Sequence, residues 1–106
     1  MMRFDTYERE AGRTITPNQD NEERKLNAAL GLAGEAGEVV ELIKKARFHG
    51  KPYDRATMCR ELGDVLWYLN QMAFAHDLTL GEIADANVAK LCARYPDGFV
   101  KGGGVR

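Results

Sequence analysis

The sequence predicts an all-α fold: a helical bundle of a short N-terminal helix and three longer helices, completed by oligomerisation. Apolar residues recur at helical spacing through the long stretches, and no segment shows the period-two alternation of a strand. Breakers punctuate the pattern at Thr16-Pro17-Asn18, Gly50-Lys51-Pro52 and Tyr95-Pro96-Asp97-Gly98. The third helix is also apolar on two sides, with Trp67 and Phe74 almost opposite its main face. In so short a chain, that second side calls for cover from another subunit.

The first helix is read from Phe4 to about Gly12. Asp5 and Glu8 have the acceptor-then-acid spacing of an N-terminal cap, and Phe4 and Tyr7 would dock the helix on the core. Thr14 to Asn21 is a loop, because the residue before a proline disfavours helix and the polar run that follows has no periodicity. The second helix runs from about Glu22 to Phe48. At about 100° per residue, Leu26, Ala29, Leu32, Ala33, Ala36, Val39, Val40 and Ile43 form one wide apolar arc. Gly31, Gly34 and Gly37 lie inside this helix, where each costs up to about 1 kcal/mol relative to Ala. Their recurrence points to close approach, by another helix or by a ligand, and both readings stay open at this level. Gly50 and Pro52 then stop the helix.

Asp54 is placed to cap a third helix ending near His76, with Met58, Cys59, Leu62, Val65, Leu66, Leu69, Met72 and Ala73 on its apolar face. Thr79 and Glu82 form a T-x-x-E capping box for a fourth helix, Leu80 to Arg94. Ile83, Ala86, Val88 and Leu91 supply its apolar side, and Asn87, Lys90 and Arg94 share a polar stripe. Phe99 and Val100 are read as folding back before a flexible KGGGVR tail.

A chain of 106 residues has room for one core, so residues 1–106 are read as a single domain. The net charge of -1 leaves no basic footprint, which argues against a nucleic-acid partner. The charged N-terminus is unlike a signal peptide, and no apolar run approaches the roughly 20 residues that span a bilayer. Cys59 and Cys92 are too few for a disulfide framework and read as reduced, buried thiols of a cytoplasmic protein.

The chemistry resides in acids. The second helix carries Glu35 and Glu38, with Glu41 at the same interval, and the third carries Glu61 and Asp64. Residues three apart share a helix face, where like charges repel. Two helices repeating that arrangement beside an apolar seam would bring four carboxylates to one groove. All-oxygen clusters suit hard cations, Mg²⁺ or Mn²⁺, with phosphate oxygens completing the shell. The plainer reading is a solvated face that pairs with Lys44, Lys45 and Arg60, and spacing alone leaves both open. His49 and His76, isolated near helix ends, read as surface or capping residues.

The pattern Glu35-x-x-Glu38, a spacer, then Glu61-x-x-Asp64 resembles the signature of MazG-like all-α nucleoside triphosphate pyrophosphohydrolases. The contexts match as well: ALGLAGEAGEV, ELGDVLWYL and NVAKLCARYPDGF, in the family's order over nearly the whole chain. The resemblance implies a helical bundle that forms homodimers or homotetramers. It also implies Mg²⁺-dependent hydrolysis of a nucleoside triphosphate between the α- and β-phosphates, giving the monophosphate and pyrophosphate. By it, Glu35, Glu38, Glu61 and Asp64 are metal ligands, and Asn87, Lys90 and Arg94 hold phosphates. Many relatives carry a further glutamate directly before the first ligand, where this chain has Gly34. Either Glu38 doubles as the base, Glu41 serves, or water activation needs no separate base. A helical module that binds metal or nucleotide without turnover is the reading from another class.

Overall fold

The computed structural model describes residues 1–99 and 101–102, and the fold is all-α. Helix α1 spans Phe4–Gly12, α2 Asn21–Phe48, α3 Arg55–Ala75 and α4 Leu80–Arg94. The fold-back expected of Val100 and the end of the glycine-rich tail lie outside the described residues.

Caps set the element boundaries. The carboxylates of Asp20 and Asp54 accept from the N–H groups of Glu23 and Thr57, each at 2.8 Å, and so begin α2 and α3. The Thr79–Glu82 capping box is closed in both directions at the start of α4. At the other ends the chain turns left-handed. Gly50 sits at φ 62° and Asp77 at φ 56°. The following N–H groups bond back to the carbonyls of Lys45 and Ala73, which satisfies otherwise orphaned acceptors. The helix α1 cap differs from expectation. Arg3 occupies the cap position without a side-chain capping bond, and Asp5 accepts from the Thr6 N–H within the first turn. Glu8 instead accepts from the Leu80 N–H at 2.8 Å, tying α1 to the start of α4.

Helices α2 and α3 form a long antiparallel hairpin, and α1 and α4 pack on one another. The Asn21 amide closes the open end of the hairpin on the Ala75 carbonyl at 2.8 Å. Ala28, Ala73, Ala75 and Leu80 are the buried apolar residues among those described, so the core is narrow. Much of the expected apolar arc of α2 faces outward: Leu26 and Val40 are each 62% exposed. Helix α3 covers one side of α2 only, where Leu32, Glu35, Val39 and Leu42 are half-buried.

Part of the cover on the second side of α3 comes from within the chain: the Trp67 indole N–H donates to the Thr14 hydroxyl at 2.8 Å and Trp67 is half-buried, whereas Phe74 stays 59% exposed. Cys59 and Cys92 are free, as expected, but exposed rather than buried.

Candidate metal centre

The α2–α3 pairing brings acids from both helices together. Carboxylate oxygens of Glu35, Glu61 and Asp64 lie within 4.8 Å of one another. Glu35 and Glu61 are half-buried against the hairpin seam, and Asp64 is exposed beside them. The close approach has a visible cause four residues before Glu35. Gly31 faces the Tyr68 ring so tightly that a Cβ there would overlap it. Gly34 and Gly37 face open space. Helix packing therefore explains Gly31, and nothing among the described residues explains the other two.

Electrostatics set these acids apart from an ordinary charged face. The ion pairs among the described residues are Arg3–Asp5, Arg13–Glu10, Lys25–Glu22 and Lys44–Glu41. None involves Glu35, Glu38, Glu61 or Asp64. Arg60, a partner in the plainer reading, donates to the Thr57 hydroxyl at 3.2 Å instead. Partial burial pushes the Glu35 carboxyl above its ordinary value, and the charges of Asp64, Glu61 and Glu38 push it further the same way. Three carboxylates this close, with no basic partner, form a set that a hard cation would neutralise. The all-oxygen donor chemistry fits Mg²⁺ or Mn²⁺.

Glu38 is exposed and outside the three-acid group, although its charge still reaches Glu35. Glu41 faces Lys44 at 3.5 Å. Asn87 and Lys90 lie exposed on α4, and Arg94 is half-buried with an unpartnered Nε. Because α4 packs mainly on α1, this stripe belongs to a different helix pair from the acids. His76 bonds to the Met72 carbonyl at 2.7 Å and His49 ends α2, in keeping with capping roles.

The sequence points to Tyr7 as a docking residue of α1 but not to its place beside the acids, and it does not single out Arg24. The Tyr7 phenol is pushed above its ordinary value by burial and, secondarily, by the charge of Asp64, which puts α1 beside the acids. Arg24 is buried in the first turn of α2. Its signal was its position: Arg24, Ala28, Gly31 and Glu35 share one face at helical spacing.

A family model of the MazG nucleotide pyrophosphohydrolase domain matches residues 23–99, a span that takes in all four signature acids. The Gene 37 protein of Mycobacterium phage L5 is 35% identical over 79 residues, covering 71% of this chain and 69% of the phage protein. No solved structure matches.

Proposed function

The chain belongs to the MazG nucleotide pyrophosphohydrolase family, and from that premise we propose that it hydrolyses nucleoside triphosphates, ribo- or deoxyribo-, between the α- and β-phosphates, with Mg²⁺ as cofactor and Mn²⁺ as a substitute. The observation that carries this reading is the cluster of Glu35, Glu61 and Asp64, within 4.8 Å and without basic partners. Those three, with Glu38 one turn beyond Glu35, would hold the cation. When bound, it would neutralise phosphate oxygens and lower the pKa of an attacking water.

The chain's own groups divide the remaining work. Glu35 and Glu61, half-buried at the seam, would hold the cation at a fixed place on the hairpin, and the phosphates would be positioned through it. Glu38, the more exposed acid, is free to accept a proton from water, with Glu41 as the other candidate base. Lys90 and Arg94 on α4, with Asn87 between them and the start of the helix, supply the donors for a triphosphate, Arg being suited to bidentate contact. The uncovered apolar surface supports a homodimer or homotetramer as the working form, and a cytoplasmic location is part of the same proposal. Among the described residues, no helix is long and apolar enough to cross a membrane.

The test is product release from a panel of nucleoside triphosphates in Mg²⁺ or EDTA. Pyrophosphate and the matching monophosphate in equal amounts, in Mg²⁺ only, is the expected result. Glu61→Gln should reduce the rate by more than about a hundredfold, since even residues behind a metal ligand cost 10- to 100-fold. Release of orthophosphate would place cleavage elsewhere in the chain of phosphates and overturn the mechanism. A folded protein that binds nucleotide without turnover would be a binding module.

A further inference from the structure

Away from the acids, the first turn of α2 carries a charge that the fold neither exposes nor pairs. Arg24 is 9% exposed, and its Nε is shut off from solvent with no hydrogen-bond partner. No carboxylate among the described residues forms an ion pair with it. Its contacts are the Phe74 ring, whose centroid lies 4.9 Å from Cζ, and a long 3.4 Å bond from Nη2 to the Gln19 carbonyl. A buried cation without a counter-charge is costly. Its place in the first helical turn adds to that, because the N-terminal end of a helix favours anions.

Arg24 also helps to wall a cavity of about 270 Å³, together with Asn70, Phe74, Ile15, Thr16 and Pro17. Asn70 is 7% exposed, and its side chain takes part in none of the hydrogen bonds among the described residues. The one acid in the wall, Glu8, is already engaged by the Leu80 N–H at 2.8 Å. The N-terminal end of α4 attracts that carboxylate, and no ion pair among the described residues joins Glu8 to Arg24. Arg24 is therefore left to be answered from the cavity.

We propose that this cavity binds an oxyanion, the phosphate or carboxylate group of a small ligand held between the Arg24 guanidinium and the Asn70 amide. Both groups offer N–H donors, and a guanidinium matches the paired oxygens of either anion. Phe74 holds the guanidinium plane in place. The volume is several times the about 30 Å³ that a water occupies, enough for an oxyanion with part of its hydration. Along α2, Arg24 precedes Glu35 by roughly 16 Å of helical rise, so the two sites are separate. The inference does not depend on the pyrophosphohydrolase reading.

The experiment titrates the full chain with phosphate, pyrophosphate and acetate at constant ionic strength in EDTA, following the thermal midpoint and side-chain NMR shifts. A saturable response is expected. Restriction to phosphate and pyrophosphate would identify a phosphoryl ligand, and an equal response to acetate a carboxylate one. Arg24→Met keeps the apolar stem, and Asn70→Asp replaces a donor with a charge; each should weaken binding at least about tenfold. Without anion, Arg24→Met should melt above the unsubstituted protein, because it removes an unpaired buried charge. No saturation with any anion, or undiminished binding in Asn70→Asp, would overturn the proposal even if Arg24→Met failed to fold.

Discussion

Gly31 and Gly34 look alike in the sequence and have different reasons to be there. A Cβ at Gly31 would overlap the Tyr68 ring, whereas one at Gly34 meets nothing within 4 Å. Gly31→Ala should therefore destabilise by about 1–3 kcal/mol, as overpacking does. Gly34→Ala should stabilise the isolated protomer by up to about 1 kcal/mol through helix propensity. Urea unfolding of the two variants checks both signs. The same contrast shows what residue-level reading could reach. Glu35, Glu61 and Asp64 were legible because a spacing of three on two amphipathic helices puts acids beside a shared seam. Arg24 was not, because a cation inside a polar run looks solvated until the cavity beside it is known.

At the scale of elements, local chemistry was the most readable part of the sequence. The T-x-x-E box of α4 and the Asp54 cap of α3 depend on partners three residues away, and both form as read. The Asp5–Glu8 pair in α1 failed because Glu8's partner, the Leu80 N–H, lies near the other end of the chain. Thr79→Ala should cost about 1 kcal/mol, measured by urea unfolding. The Asp54 cap makes a pH-dependent prediction. The Thr57 N–H, followed by the Thr57 hydroxyl, holds the Asp54 carboxyl below its ordinary value. Folding then favours the ionised form, so the contribution is present above the unfolded value, about 3.9 for Asp. It is lost as the pH falls through the lower folded value. Asp54→Ala should lower the thermal midpoint at neutral pH, and the gap should close in acid. A gap that stayed constant to the most acid pH measurable would remove the charge from the cap's role.

For the whole molecule, the protomer shows more surface than its size requires. It exposes 8189 Å², against the roughly 5,900 Å² of a compact monomer of this mass. Its radius of gyration is 16.8 Å, against about 13 Å. The breadth of the apolar arc on α2 was visible in the sequence. Which half α3 would cover was not, since that depends on a pairing that periodicity does not specify. The uncovered edge of the arc, extended by Leu30 and Gly37 just outside it, has an order of its own: Leu26, Leu30, Ala33, Gly37 and Val40 recur at alternating intervals of four and three. That is the spacing of a helix–helix seam, with small residues at its centre where backbones can come close. Leu30, 67% exposed, is the largest gap in the protomer's own packing along this line. We expect a second copy to cover it. The excess of roughly 2,300 Å² per protomer, about 4,600 Å² for a pair, lies within the roughly 2,000–5,000 Å² that obligate homodimer interfaces bury in total. Leu30→Glu should then reduce the mass seen by sedimentation while leaving the helical circular dichroism of the protomer intact, because this side chain is little covered within its own chain. An unchanged mass would clear this face of α2 as the interface. The exposed side of α4, where Val88 is 58% and Leu91 43% exposed, would then be the surface left to carry assembly.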